Sequence, residues 1–434
     1  MKKLNIFLMF AMGLFMVSCE VEPIANPNAY AQEDVIQNAS IPELNALTSG
    51  VEDLLRTEVG FYYDVTSIIG RDYWFFTGSD PRYTGEILGK ESSTLDNAGF
   101  YGNRPYAGRY RTIKAANLLL EALENTTAPL TDAEKAGYRG FAKTMQAYEY
   151  HLALNLQYEN GIRTDVSDPS NLGPFVSYDE ALSFIAGLLD EANTELSSAG
   201  DAFRFNLTDA FANFNTPASF ASFNRGLAAR IALYQGDNSA ALSLLGDSFM
   251  DMSGDMSAGP ARYYVNAAGD QPNPLYRVPG NSDGIIAHPS WVSLVSGTDD
   301  ARASKIASRE SISLDGLSGD HDVLVFGSLN DNVTFMNNEE LILISAEANV
   351  GSDNAAAIEA IDAVRSANNL SAYAGGNSDE ELMDEILLQR QLSLFGLGHR
   401  WVDMRRWNRL DEIPVDRDGD DVWVQFPRPV SEGE

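Results

Sequence analysis

Residues that could carry catalysis are scarce and scattered along the chain. The four histidines are His151, His288, His321 and His399, and no two of them have the spacing of a metal-binding motif such as H-E-x-x-H. The sequence also lacks a nucleophile elbow, a phosphate-binding glycine loop and a dinucleotide fingerprint. The 62 acidic residues leave room for a chance pair of glycosidase carboxylates, but no spacing singles out one pair. We therefore predict a protein that is not an enzyme and that uses no cofactor.

The residues best suited to bind a ligand lie in an early aromatic segment. Four consecutive aromatic residues, Tyr73 to Phe76, are followed by polar residues among glycine and proline. Because four neighbouring rings cannot all face one core, we expect a loop that exposes some of them. Aromatic rings stack on the apolar faces of uncharged sugars, and nearby charged groups bind the hydroxyls. The predicted ligand-binding residues of this segment are Tyr73, Trp74, Asp80, Arg82 and Tyr83.

A second aromatic group lies in the middle of the chain and contains Tyr263, Tyr264, Tyr276 and Trp291. We add Trp291 to the predicted ligand-binding residues. The alternative for Trp74 and Trp291 is that each ring packs beneath its own loop, since tryptophan is well buried on average.

Residues 416–421 have the density of carboxylates that calcium sites require. Their order, Asp-Arg-Asp-Gly-Asp-Asp, differs from the EF-hand order, in which glycine follows the third ligand position. We therefore predict a solvated loop and no metal site.

The N-terminus has the pattern of a bacterial lipoprotein signal. Lys2 and Lys3 precede an apolar run from Leu4 to Val17, which is too short for a finished membrane span. The run ends at Ser18 and Cys19, which resemble a lipobox, and Cys19 is the only cysteine of the chain. We predict removal of residues 1–18, lipid attachment to Cys19 and a polar tether over residues 19–32. An ordinary secretory signal that happens to contain a cysteine is the alternative.

Composition limits the classes of ligand. The formal net charge of −32 repels phosphate backbones, so we expect no nucleic-acid partner, and it also disfavours polyanionic ligands. A hydrophobic content of 44% is sufficient for a large globular core.

Most of the remaining chain has the periodicity of amphipathic helices. The first predicted helix begins at about Tyr110, and the second covers about 132–156, with Thr131 and Asp132 as caps. The others cover residues 178–196, 220–234, 240–249, 339–350, 355–368 and 380–397. The stretches Gly236–Leu242 and Ser352–Ile358 match each other, and each opens a helix with Asp or Asn as its cap. Such helical pairs stack into tetratricopeptide-like solenoids. We expect one domain over residues 33–434, interrupted by irregular inserts at about 60–107 and 251–335.

Several segments, in order along the chain, resemble the SusD/RagB family of outer-membrane, nutrient-binding lipoproteins. They are Tyr110–Asn117, Tyr138–Gly161, Phe223–Asp237, Asn338–Arg365, Gln389–Trp407 and the closing Phe426–Pro429 with Glu432. Gln389 and Leu397 depart from the family pattern, which has Glu at both positions. In this family the motif around Trp401 and Trp407 closes the helical scaffold, so we expect it to be structural.

The resemblance implies a mostly α-helical, SusD-like fold with a tetratricopeptide-like scaffold of helical pairs. It also implies that a lipid anchor holds the protein at the outer membrane, facing the cell exterior. There it would bind oligosaccharide or polysaccharide nutrients and deliver them to a SusC-like TonB-dependent barrel. The family's ligand-stacking aromatic residues tend to come from the early segment and the middle insert. The alternatives are a helical scaffold that binds proteins or peptide nutrients, and a surface glycosidase.

Overall fold

The structure is a computed structural model that describes residues 36–91 and 93–433. The predicted signal peptide (1–18), Cys19 and the tether (19–32) lie outside these residues. The division of the chain at residues 18 and 32 therefore stays a prediction. In the described part of the chain, no helix combines the length and the apolar character needed to span a membrane.

Helices make up most of the described chain and confirm the predicted fold class. They are α1 (Ile41–Leu54), α2 (Val59–Ile69), α3 (Phe100–Asn125), α4 (Asp132–Gln157), α5 (Tyr178–Ser198), α6 (Pro217–Tyr234), α7 (Asn238–Gly246), α8 (Pro289–Val295), α9 (Asn338–Asn349), α10 (Asn354–Ala367), α11 (Asp379–Ser393) and α12 (His399–Arg406).

The longer helices pack in sequence, as expected of a scaffold of helical pairs. Helix α1 packs on α3, and contacts then run from α3 through α4, α5 and α6 to α7. Helix α7 contacts α9, which packs on α10 and α11. The contact between α7 and α9 joins the two halves of the scaffold across the middle insert.

Side-chain caps fix where several of these helices begin. The Asp237 side chain accepts a hydrogen bond from Ala240 N, and Asp353 accepts one from Ala356 N. These two aspartates occupy equivalent positions in the repeated stretches, which confirms that each stretch opens a helix. Thr131 and Glu134 form a capping box at the start of α4.

A four-stranded antiparallel sheet joins the two inserts. Its strand order is β1 (Tyr73–Phe76), β5 (Gly284–Ala287), β7 (Leu317–Val323) and β6 (Ile306–Leu314). Tyr73 lies opposite Ala287, and Phe76 lies opposite Gly284. Two short pairs complete the strands, β2 (Ile162–Arg163) with β3 (Phe175–Val176) and β4 (Ala261–Arg262) with β8 (Val333–Thr334).

The structure corrects two predictions for the early insert. Residues 73–76 form strand β1 rather than a loop, since aromatic residues favour strands and β5 offers a partner. Helix α2 ends at Ile69 and α3 begins at Phe100, so the irregular chain is limited to residues 70–99 around β1. Helix α3 thus begins before its predicted start at about Tyr110. Tyr101 and Tyr106 are buried in these additional turns. Their packing outweighs the weak helix propensity of Gly102 and Pro105.

Candidate functional site

Trp74 is not an exposed platform for a sugar. Its ring is buried and stacks on Phe76 at a centroid distance of 5.7 Å, and Nε1 donates a hydrogen bond to Asp416 (3.1 Å). The backbone of β1 is also paired with strand β5 along this stretch. A ring enclosed in this way offers no surface to a ligand, so the prediction of ligand stacking by Trp74 is wrong for this conformation.

Trp291 is also enclosed. It has no exposed surface, stacks on Phe395 at 4.0 Å, and donates from Nε1 to the carbonyl of Gln391 (3.2 Å). The structure therefore shows the alternative that tryptophan burial suggested, in which the ring supports its segment from beneath. Nothing in the sequence around Trp74 or Trp291 indicated whether the ring would be exposed to a ligand or packed beneath its own segment.

Tyr73 is buried and contacts the carboxyl group of Asp64. Its hydroxyl donates a hydrogen bond to Asp64 Oδ1 (3.1 Å). Burial raises the pKa of Asp64 above its ordinary value, although Arg277 nearby opposes this effect. Tyr73 thus positions a buried carboxyl group, and its own buried ring offers no free face to a ligand.

Tyr83 belongs to a cluster of five rings at the surface. It packs on Phe75 (4.6 Å) and on Tyr101 (4.7 Å), and Phe61 packs edge-on against both Tyr101 and Phe100. Tyr83 and Tyr101 are buried, whereas the three phenylalanines are partly exposed. The exposed edge of this cluster is therefore made of phenylalanine.

Three arginines cover that phenylalanine edge. Their guanidinium carbons lie over the ring centroids at 4.0 Å for Arg82 on Phe100, 4.4 Å for Arg104 on Phe61 and 5.0 Å for Arg277 on Phe75. Such cation–π contacts hold the flat guanidinium group in one orientation.

Asp80 and Arg82 form a bidentate ion pair, as their proximity in sequence allows. Arg82 donates from Nε (2.9 Å) and Nη2 (2.7 Å) to the two carboxylate oxygens, and the hydroxyl of Tyr101 also donates to Asp80. The hydrogen bonds from Arg82 lower the pKa of Asp80 to about 2. Both side chains are partly exposed, so their role in ligand binding stays a prediction.

We name the first of three clefts near this segment the hairpin cleft. It has a volume of about 730 Å³ and lies between residues 77–94 and the turn that joins β6 to β7. Arg82, Glu86, Lys90 and Asp315 line it, together with serine and threonine side chains. Lys90 pairs with Asp315, so the turn is tied to the segment across the cleft. This volume falls in the range of small-ligand sites, and the lining can bind hydroxyl groups.

The second cleft, the arginine cleft, opens on the other side of the ring cluster. It has a volume of about 290 Å³, and its polar lining is Arg56, Glu58, Asp64, Tyr83, Arg104, Gln271 and Arg277. It therefore brings Tyr83 of the early insert next to residues 271–277 of the middle insert. Phe61, Pro272 and Pro274 supply apolar surface.

The third cleft, the α1 cleft, shares Arg56 with the arginine cleft. It has a volume of about 430 Å³ and contains Glu52 and Asp53 of helix α1, Thr208, Tyr263 and Asp270. Tyr263 is partly exposed here, whereas Tyr264 is buried.

The acidic segment 416–421 is only partly solvated, which corrects the prediction of a solvated loop: Asp418 and Asp421 are exposed, whereas Asp420 is buried. Asp416 binds His288 (2.7 Å) and lies 3.4 Å from the buried Arg71, and Asp420 pairs with Arg417 (2.8 Å). Because arginine and histidine already occupy these carboxylates, they are poor candidates for metal ligands. Within the described residues, no group of three or more His, Cys, Asp and Glu side chains is placed to hold a metal ion.

Residues 416–430, which we name the C-terminal strap, hold the early segment in place. Asp421 N donates to the carbonyl of Leu88 (2.8 Å), and Val430 N donates to that of Asn97 (3.0 Å). Trp423 Nε1 donates to the carbonyl of Ile87 (3.1 Å). The strap therefore fixes Ile87, Leu88 and Asn97, which belong to no helix or strand.

The motif around Trp401 is structural, as expected. Trp401 is buried and donates to the carbonyl of Trp423 (2.6 Å), and Arg390 binds Asp403 (2.7 Å). Trp407 Nε1 donates to Glu347 (2.9 Å). These contacts join α12 to α9, α11 and the strap.

One hydrogen-bonded arrangement of Ser, His and Asp escaped the sequence analysis. Ser308 Oγ lies 3.1 Å from His321 Nε2, and His321 Nδ1 lies 2.7 Å from Asp320 Oδ1. The three residues lie on the exposed β6–β7 hairpin, and none of the three named clefts includes them. Acyl transfer also needs a substrate cleft and oxyanion donors, so this arrangement alone does not indicate an active site.

Sequence reasoning also missed Phe61, Arg104, Arg277 and Asp315. None of them lies in a recognisable motif. Phe61, Arg104 and Arg277 line the arginine cleft and Asp315 lines the hairpin cleft, and each cleft combines segments that are far apart in the sequence. No local pattern could have found them.

Comparison with known proteins agrees with this architecture. Residues 326–423 match the sequence model of the SusD family. None of the curated proteins matches this chain in sequence. A SusD superfamily protein from Bacteroides vulgatus shares the fold with a TM-score of 0.70 and 15% identity, covering 91% of this chain and 96% of that chain.

Two further solved structures have the same fold. Surface glycan-binding protein A from Bacteroides thetaiotaomicron aligns with a TM-score of 0.67 and 14% identity, covering 92% of this chain and 97% of that chain. A laminarin-binding SusD-like protein aligns with a TM-score of 0.60 and 18% identity, covering 90% and 96%. The resemblance predicted from the sequence is confirmed: residues 326–423 have the sequence pattern of the SusD family, and the chain as a whole has the SusD-like fold.

Proposed function

We propose that the protein binds oligosaccharide or polysaccharide nutrients at the outer surface of the cell and delivers them to a SusC-like, TonB-dependent barrel. A lipid on Cys19 would hold it at the outer membrane. Two proteins with the same fold are described as glycan-binding and laminarin-binding, which supports a saccharide ligand. A binding role without catalysis agrees with the scarcity of catalytic motifs in the sequence.

The observation that carries this proposal is the hairpin cleft. Its walls combine hydroxyl, carboxylate and ammonium groups with the guanidinium of Arg82, which suits the many hydroxyls of a sugar. Asp80 holds Arg82 through two hydrogen bonds, so the guanidinium is already oriented before ligand arrives. The ligand would lie against residues 77–90 and contact Arg82, which Asp80 holds in place.

The test is a calorimetric titration of the full-length protein in detergent against a panel of polysaccharides, with chromatography of the mixture for soluble products. We expect saturable binding without products, and about tenfold weaker binding by Arg82→Gln, which loses a charge-assisted contact. Arg204→Gln is the control, since Arg204 is an exposed arginine with one ion-pair partner outside the three clefts.

The other outcomes would overturn the proposal in different directions. Soluble sugar products would indicate a surface glycosidase. Failure to bind any glycan would favour a helical scaffold for proteins or a peptide nutrient. Copurification of a TonB-dependent barrel from the outer membrane tests the delivery partner separately.

A further inference from the structure

The arginine cleft presents cations to solvent and keeps their carboxylate partners beneath. Arg104 pairs with Glu58 at 3.0 Å, and the exposed fractions of the two side chains are 50% and 14%. Arg277 lies 3.6 Å from Asp64, with exposed fractions of 27% and 3%. In both pairs a ligand entering the cleft would meet the guanidinium group first.

The neighbouring α1 cleft has the opposite arrangement. Arg56 is largely buried there, whereas its partner Asp53 is 53% exposed and Asp270 is also partly exposed. Exposure of the arginine is therefore not common to every ion pair in this region.

The two exposed guanidinium groups have unused donors. Among the described residues, Arg104 makes one side-chain hydrogen bond, from Nη2 to Glu58. Arg277 Nη2 lies beyond hydrogen-bond distance of Asp64, and the hydrogen bonds of Arg277 all come from Nη1. Because the N–H groups lie in the guanidinium plane, stacking on Phe61 and Phe75 leaves them accessible at the edge.

The two acidic residues that line the arginine cleft, Glu58 and Asp64, repel an anion less than their number suggests. The Asp64 side chain is only 3% exposed, and Arg277 lies 3.6 Å from its carboxylate, so little of that negative charge faces the cleft. The net charge of −32 belongs to the whole molecule, and salt screens charges beyond about 8 Å at physiological ionic strength. A small anionic group in the cleft therefore interacts mainly with the nearby arginines.

We propose that the arginine cleft binds the anionic group, a carboxylate or a sulfate, of an acidic sugar within the captured glycan. This inference rests on the proposed function and defines its substrate class. Arg104 and Arg277 supply charge-assisted hydrogen bonds, and Phe61, Pro272 and Pro274 contact the sugar ring. The expectation from composition, that anionic ligands are disfavoured, then applies to long polyanions rather than to glycans with one acidic sugar in the cleft.

The test compares acidic oligosaccharides with their neutral forms. The full-length protein in detergent is titrated with oligosaccharides of galacturonate, glucuronoxylan and alginate, each also as its methyl ester, and with sulfated carrageenan oligosaccharides. We expect at least one acidic oligosaccharide to bind about tenfold more tightly than its ester. Arg104→Gln and Arg277→Gln should each abolish that preference. Arg204→Gln should retain it, since Arg204 is as exposed as Arg104 but lies outside the clefts.

Each outcome decides the question. Preference for uronates or for sulfates that both cleft variants abolish supports the inference and identifies the anion. If neutral and acidic forms bind equally, or if the preference survives in both variants, the inference is overturned while the proposed function stands. If no glycan binds at all, both fail. Circular dichroism and the melting temperature of each variant establish that it is folded.

Discussion

At the scale of single residues, burial separates the residues that support the site from those that can touch a ligand. Tyr73, Trp74 and Trp291 are enclosed, whereas Asp80 and Arg82 are partly exposed. An aromatic residue can stack on a ligand or pack in the core, and the residue type alone does not indicate which of the two occurs.

Trp74→Ala should therefore destabilise the protein rather than remove a ligand contact. Deleting a buried aromatic side chain costs about 3–5 kcal/mol of the free energy of unfolding. Urea denaturation measures this loss, and glycan affinity measured where the variant is still folded should be unchanged. Trp74→Phe keeps a ring but loses the hydrogen bond to Asp416, so it should cost less. Normal stability with lost binding would restore Trp74 as a platform.

Asp72 gives a pH dependence of known sign. Burial raises the pKa of its carboxyl group from 3.8 to about 7, and nearby Arg400 and Lys305 oppose the shift. Because the folded protein favours the protonated form, this contribution to stability is complete below pH 3.8 and is lost as pH rises through 7. Asn mimics the protonated side chain. The stability of Asp72→Asn relative to the native protein should therefore increase by about 2–3 kcal/mol from pH 5 to pH 8.

Urea denaturation at the two pH values measures this difference for Asp72→Asn. Asp80→Asn is a useful contrast, since the pKa of Asp80 is lowered to about 2 and its ion pair with Arg82 is intact at both pH values. An equal effect of Asp72→Asn at pH 5 and pH 8 would show that Arg400 keeps the Asp72 carboxylate ionised.

At the scale of elements, the β6–β7 hairpin forms one wall of the hairpin cleft. Its turn residues Asp315 and Gly316 have φ values of 53° and 81°, as expected for a tight turn with two left-handed residues. Asp315 also pairs with Lys90 and Arg417. The backbone of the turn therefore determines where this carboxylate lies.

Gly316→Val should weaken glycan binding more than it weakens the fold. A side chain at this positive φ costs about 1–2 kcal/mol, and the strain displaces Asp315 from the cleft. Hydrogen exchange of the hairpin amides and calorimetric affinity measure the two effects. Gly236→Val, at φ 76° between α6 and α7, is the matched control and should retain affinity. Equal affinity of the two variants would show that the hairpin does not contact ligand.

The helices show what sequence periodicity can and cannot predict. Helices α4 to α7 and α9 to α11 lie close to their predicted bounds because each has a clear apolar face or a cap such as Thr131 or Asp353. Strand β1 was expected to be a loop because its pairing with β5 depends on residues more than 200 positions away. The clefts also depend on contacts between residues far apart in the sequence. The sequence therefore indicated the two inserts but not the clefts that form between them.

At the scale of the whole molecule, the charge and the predicted anchor determine how the protein meets its surroundings. With a net charge of −32, the protein gains no attraction to an anionic membrane surface. The predicted lipid on Cys19 would then be the main link to the membrane.

Cys19→Ser should release the protein from the membrane fraction. The change removes the only cysteine, and with it the predicted site of lipid attachment. Cell fractionation and labelling with radioactive palmitate measure the result. Ser18→Ala keeps a small residue before the cleavage point and should remain membrane-bound. A Cys19→Ser protein that stays fully in the membrane fraction would contradict the predicted anchor.

The C-terminal strap has a consequence for the order in which the protein matures. Ile87, Leu88 and Asn97 accept hydrogen bonds from Trp423, Asp421 and Val430, which are synthesised more than 300 residues later. The hairpin cleft therefore acquires its final shape only after residues 416–430 have been synthesised and have packed against it. We expect a protein cut short before residue 416 to form much of its helical scaffold and still to lack the final shape of the hairpin cleft.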